Sequence, residues 1–195
     1  GVDGTDGDGP DFETFTYEIK DSDGTPSTAQ IKINITDTGP VANPDEYSVV
    51  EGQTLNVPLA GVLVNDTVGA DGGKTAVAAA FTGSLGGSLT LNADGSFSYT
   101  APTSVDHDDL VPDYETFTYT VKDADGSTST AEIKINITDS GPAAVNDEYS
   151  VVEGTALTGK DVDANDSYGK DGPGQVTAAV LTGSLGKRLE LLQPL

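Results

Sequence analysis

The sequence predicts an all-β protein made of tandem two-sheet β-sandwiches. Three observations carry that expectation. Long stretches alternate apolar and polar residues with period two. The alternating positions are rich in Val, Ile, Thr, Phe and Tyr, which fit a pleated, half-buried surface. A block of about 100 residues also recurs along the 195-residue chain, punctuated by Asp-Gly turns.

The repeat sets the organisation. Residues 12–37 read FETFTYEIKDSDGTPSTAQIKINITD, and residues 114–139 read YETFTYTVKDADGSTSTAEIKINITD, an offset of 102. The same offset carries DEYSVVEG at 45–52 onto 147–154. An offset of 100 then carries NDTVGADG at 65–72 onto NDSYGKDG at 165–172, and FTGSLG at 81–86 onto LTGSLG at 181–186. Residues 1–38 are therefore expected to be the C-terminal part of one repeat, 41–140 a complete β-sandwich repeat and 143–195 the N-terminal part of a third. The joints, Gly39-Pro40 and Gly141-Pro142, are short and stiff, because Pro fixes φ.

Within the complete repeat the strands follow in order. Tyr47–Val50 and Thr54–Val57 open it, and Ala76–Thr82 reads as the next strand. Its Ala-rich part is too short for a stable helix. SLTL at 88–91 and SFSYT at 96–100 flank an NADG turn. Phe117, Tyr119 and Val121 alternate with Thr in the next strand. After the DADG turn at 123–126, Ala131, Ile133, Ile135 and Ile137 alternate with Glu132, Lys134, Asn136 and Thr138. About seven strands in about 100 residues point to an immunoglobulin-like or cadherin-like sandwich.

Composition narrows the function classes. There are 32 Asp plus Glu against 9 Lys plus Arg, giving a net charge of −23. Such a chain repels nucleic acid and anionic membrane, so neither is expected as a partner. No apolar run approaches a membrane span. The absence of Cys excludes disulfides and thiolate sites. With 35% hydrophobic residues in clean alternation, the acidity does not signal disorder. Residue 1 is not Met and no leader follows it, so it reads as an internal cut.

Three acidic clusters recur at turns and joints. The hairpin turn holds Asp21 and Asp23, repeated as Asp123 and Asp125. A loop holds Asp66 and Asp71, repeated as Asp166 and Asp171. At the joints, Asp37 precedes Asp45 and Glu46, and Asp139 precedes Asp147 and Glu148. Closely spaced oxygen donors suit Ca2+, which takes six to eight of them at flexible angles. Asp-Gly turns also close hairpins with no metal, so the residue types admit both readings.

A further run, Asp106, His107, Asp108, Asp109 and Asp113, reads as a solvated acidic loop, with His107 as an inert surface residue. With one His and no Cys, neither a catalytic triad nor a zinc site is expected. Paired carboxylates could serve glycoside hydrolysis. They lie in turns repeated along the chain, however, where catalysis is not expected to recur, so no enzyme is expected. Residues 4–12, GTDGDGPDF, look like one imperfect copy of a glycine–aspartate calcium repeat. The sequons at Asn34, Asn65, Asn136 and Asn165 are what so Thr-rich a chain gives by chance.

GSLTLNADGSFSYT followed by YETFTYTVKDADGSTSTAEIKINITD resembles the VCBS repeats of bacterial surface proteins. NDEYSVVEG followed by NDxxGxDG resembles the cadherin-like tandem repeats of giant RTX adhesins. The resemblance runs from about residue 12 to 191. It implies a secreted, calcium-binding extender of a Gram-negative cell-surface adhesin, exported by a type I system. The tail Leu192–Leu195 departs from the pattern and reads as a truncation or frame change.

Three functional expectations follow. The leading one is a spacer whose joints stiffen when calcium bridges their carboxylates, with neighbouring repeats of the chain as partners. The second is a glycan- or cell-binding module. The third is head-to-tail pairing of the two partial repeats of different molecules.

Overall fold

The computed structural model describes residues 12–70, 72–107, 113–177, 180–182 and 188–190. Strands β1 (Phe12–Lys20) and β2 (Pro26–Asn34) form an antiparallel hairpin. There follow β3 (Asp45–Val50), β4 (Thr54–Val57), β5 (Thr75–Ala76), β6 (Ala79–Thr82), β7 (Ser88–Leu91), β8 (Phe97–Thr100), β9 (Tyr114–Lys122) and β10 (Thr128–Thr138). Beyond them β11 (Val180–Thr182) pairs antiparallel with β12 (Arg188–Glu190).

Strands β3 to β10 make two four-stranded sheets, ordered β3-β10-β9-β5 and β4-β8-β7-β6. The alternation explains the core. Phe117, Tyr119, Val121, Ile133 and Ile135 of one sheet are buried with Leu89, Leu91, Phe97 and Tyr99 of the other, while the Thr, Glu and Lys between them face outward. Aromatic rings bridge the sheets, Tyr47 to Phe97 at 5.0 Å and Tyr99 to Phe117 at 5.9 Å between centroids. A short 3-10 turn, Gly61–Leu63, adds Val62 and Leu63 to this core.

The segment expected as one strand, Ala76–Thr82, is two. β5 pairs with β9 in the first sheet, and β6 pairs with β7 in the second. The chain crosses between sheets at Val77 and Ala78, where the Val77 N–H still donates to the Thr120 carbonyl at 2.9 Å. Both halves are Ala-rich and β-like, so composition alone does not mark the switch.

β3 and β10, the first and last strands, pair in parallel, with Asp45 opposite Ile133 and Val50 opposite Thr138. Because both run in one direction, the chain enters this sandwich at one end and leaves at the other.

The partial repeats show how far local sequence determines structure. β1–β2 keeps the register of β9–β10, Phe15 opposite Ile31 as Phe117 is opposite Ile133. Yet Phe15 and Ile31 are each 49% exposed, against 3% for Phe117 and 0% for Ile133, because among the described residues no second sheet covers them. Residues 147–152 share the DEYSVV of β3 but form no strand. In the complete repeat β10 is what pairs that segment, and the sequence holds no third copy of β10.

Candidate metal centre

The recurring acids separate into three environments. At the tip of β1–β2, Asp21 and Asp23 are exposed, and both accept from the Thr25 N–H, at 2.8 and 3.2 Å. This is an ordinary side-chain-capped turn. The same turn between β9 and β10 is different. Gly126 N–H donates to Asp123 Oδ1 at 3.1 Å, and Ser127 N–H to Asp125 Oδ1 at 2.9 Å. Asp123 is only 5% exposed. The Oδ2 atoms of Asp123 and Asp125 are buried and accept no hydrogen bond.

Two segments close over this turn. Asp37, from the joint after β2, accepts from Ser127 Oγ at 2.9 Å and lies beside Asp125. The Gly72 carbonyl accepts from Ala124 N–H at 3.0 Å. Asp71, beside Gly72 in sequence, lies outside the described residues. Burial, then the neighbouring Asp125, pushes the Asp123 carboxyl up from its ordinary value. The bond from Ser127 N–H and the proton-sharing contact with Asp123 hold Asp125 down. Two neighbouring carboxyl groups, each with a buried Oδ2 that accepts from no hydrogen-bond donor, are oxygen donors of the kind calcium takes.

Asp45 and Glu46 do not join this group. Asp45 is half-buried beside Asp66 and Tyr119, with its Oδ2 unpartnered. Burial pushes it up to about 6; Tyr119 opposes that rise and the Asp66 charge adds to it. Asp66 is buried and accepts from Asn43 N–H at 2.7 Å and from Tyr119 Oη–H at 3.1 Å. It latches the start of the repeat to β9. Asp166 makes the corresponding bond to Val145 N–H, also at 2.7 Å. Glu46 accepts from Asn136 and Lys134 on β10, which hold its carboxyl below the usual range. In the third repeat Asp147 accepts from Tyr149 Oη–H, and Glu148 is exposed.

The second joint gathers Asp139 and Asp171 with two residues the sequence reading did not assign to it. Glu51, at the end of β3, is fully buried. It accepts from Val105 N–H at 2.9 Å and from Ser140 Oγ at 2.5 Å. Burial pushes its carboxyl up, but the bonds from Ser140 and Val105 and the nearby His107 outweigh that and hold it low. His107 is no surface residue, as its side chain is only 19% exposed. The loop between β8 and β9 folds it inward, where Nδ1 lies 2.7 Å from Asp113 Oδ2 and Nε2 lies 3.8 Å from Glu51 Oε2. Asp171 contacts Asp139, and burial together with the Glu51 and Asp139 charges pushes its carboxyl up. Recurrence of Glu51 as Glu153 was the available signal; nothing in the sequence links His107 to residues 56 and 32 positions away.

The joints share a docking contact. Ala70 N–H donates to Thr38 Oγ1 at 2.9 Å, and Lys170 N–H donates to Ser140 Oγ at 2.8 Å. In each, the linker hydroxyl holds the loop of the following repeat.

A search of curated proteins finds no match. Among solved structures, the extracellular cadherin domains 1–5 of protocadherin gamma B2 align at 15% identity and a TM-score of 0.34, over 68% of this chain and 32% of that one. The chain thus spans about a third of that structure's length. No helix among the described residues is long and apolar enough to cross a membrane. The family model of the bacterial cadherin-like domain matches residues 37–139, more than half of the sequence. Such domains are adhesion-associated, extracellular modules without enzymatic function, and they generally bind calcium. The chain belongs to the bacterial cadherin-like domain family.

Proposed function

We propose that this chain is a calcium-stiffened extender segment of a large secreted bacterial surface adhesin, of the RTX type exported by a type I system, serving cell adhesion or biofilm formation. The observation that carries the reading is the pair of buried, unpartnered Oδ2 atoms of Asp123 and Asp125 facing the linker acid Asp37. Without a bound cation, three carboxylates must stay together at the joint, with only the flexible Lys122 ammonium beside Gly126 as a nearby positive charge. A calcium ion would convert that repulsion into a bridge.

Repetition makes the two joints complementary halves. The first has a linker acid, Asp37, and the turn acids of the following repeat. The second has the preceding repeat's Glu51, the linker acid Asp139 and the following loop's Asp171. A joint between complete repeats would hold all five positions, close to the oxygen count calcium takes. Entry and exit at opposite ends favour a rod, and extracellular calcium modules bind at about 10⁻⁴–10⁻³ M, matched to an external medium.

The test is melting and small-angle scattering in EDTA and in millimolar calcium. Higher melting temperature and a longer maximum dimension with calcium are expected. Identical curves in both media would refute the reading.

A further inference from the structure

We propose that the joint after β10 holds a zinc-class metal ion, bound by Glu51, His107 and Asp139 with Asp171 as the fourth donor. One ligand atom from each of Glu51, His107 and Asp139 lies within 4.8 Å of the others. The separation of 3.8 Å between His107 Nε2 and Glu51 Oε2 is too long for a hydrogen bond. Two donors bonded to one ion at about 2.0–2.1 Å stand about 3.4 Å apart at the tetrahedral angle, so closure needs only a small side-chain movement.

The imidazole is prepared for this role. Its Nδ1 is held by Asp113 at 2.7 Å, which makes Nδ1 the protonated nitrogen and leaves a lone pair on Nε2 in the neutral ring. That Nε2 is buried and has no hydrogen-bond partner. A carboxylate behind a histidine, fixing its tautomer and raising its basicity, is the usual support of a histidine metal ligand. Glu51 is likewise fixed by Val105 and Ser140. The cleft lined by Ser104, Val105, Asp106, His107 and Asp171 gives an ion a way in.

Ligand type decides the metal. Calcium takes oxygen donors only, whereas one imidazole with three carboxylates suits zinc and its neighbours. The acids of the joint recur along the chain, but the histidine does not: the offset of 102 puts Thr5 where His107 stands. The inference rests on the joint acids being cation sites and departs from calcium at this joint alone. It also replaces the expectation that no zinc site can form. That expectation counted His and Cys within motifs, while these donors come from four separate segments.

His107 is the sole histidine, so a nitrogen-15 correlation spectrum of its imidazole reads this site without overlap. Metal-stripped protein is titrated with zinc alone and with calcium alone. Zinc is expected to saturate at one equivalent and to displace the Nε2 resonance, and calcium to raise the melting temperature while leaving the imidazole resonances unmoved. His107→Gln should weaken zinc binding at least tenfold and leave the calcium increment intact. Asp113→Asn should weaken it by about 10–100-fold with the ligands unchanged. Zinc binding that leaves the Nε2 resonance in place, or equal zinc affinity in His107→Gln, overturns the proposal. Failure of the calcium reading looks different: no calcium effect on melting, with the zinc response preserved.

Discussion

Glu115 is the most informative residue to remove. It starts β9, is fully buried and accepts three bonds from the opposite sheet and its loops. Tyr99 Oη–H donates at 2.6 Å, Leu85 N–H at 2.6 Å and Gly87 N–H at 3.2 Å. Glu115→Ala leaves all three donors without an acceptor. Leu85 is 40% exposed, so water can reach its N–H. Gly87 N–H and Tyr99 Oη–H are buried and cannot be repaired so easily. Bonds to a charged group contribute about 1.5–3 kcal/mol each, so the loss should be about 3–5 kcal/mol. For a domain of about 100 residues that lowers the melting temperature by about 15–30 °C. Tyr99→Phe removes one donor and leaves the other two bonds, and should cost about 1.5–3 kcal/mol. Urea unfolding followed by tyrosine fluorescence measures both, since the chain has no Trp. The double variant should be less destabilised than the sum of the singles, because both remove the same bond. A loss below about 1 kcal/mol for Glu115→Ala, or strict additivity with Tyr99→Phe, would refute the clasp.

Four other predictions follow from the same geometry. Calcium at a hundredfold excess over its Kd should add about 2.7 kcal/mol per site, read as a rise in melting temperature that EDTA reverses. Asp123→Asn should leave melting in EDTA unchanged or higher, because it removes repulsion with Asp125, yet shrink the calcium increment; an undiminished increment would exclude Asp123 as a ligand. Asp45 has its pKa raised from 3.8 to about 6, so between those values the folded state holds more protons than the unfolded one. The Asp45 contribution to stability in metal-stripped protein should therefore fall as pH rises through that window, and Asp45→Asn should flatten the melting profile there. Finally, Gly87→Ala should destabilise the sandwich strongly, since a Cβ there runs into the Glu115 carboxylate and the Tyr99 hydroxyl; melting within about 2 °C of the parent would contradict that packing.

Period and repetition made the sandwich legible. The β7–β8 and β9–β10 hairpins lie where alternation and Asp-Gly turns put them. Less visible was everything that depends on which surfaces meet. The division of Ala76–Thr82 between two sheets follows from pairing partners far away in sequence. The linker acids regroup for the same reason: Asp37 lies with Asp125, Asp45 with Asp66, and Glu46 with Lys134. Glu115 recurs as Glu13 but sits at a strand start, where a carboxylate looks like any solvated residue. Only the approach of Gly83 and Gly87 from the other sheet makes it an acceptor in the core.

The parallel pairing of β3 with β10 has a mechanical consequence. A pull along the chain tugs β3 toward its N-terminus and β10 toward its C-terminus, so neighbouring strands are drawn past one another lengthwise. The rungs from Asp45–Ile133 to Val50–Thr138 are then loaded together rather than one after another. Side chains reinforce the ladder, with Lys134 and Asn136 gripping Glu46 and the Thr138 hydroxyl bonding the Val49 carbonyl at 3.3 Å. A zipper opened from one end yields at the force that breaks a single tooth. This sandwich presents its whole seam to the load at once.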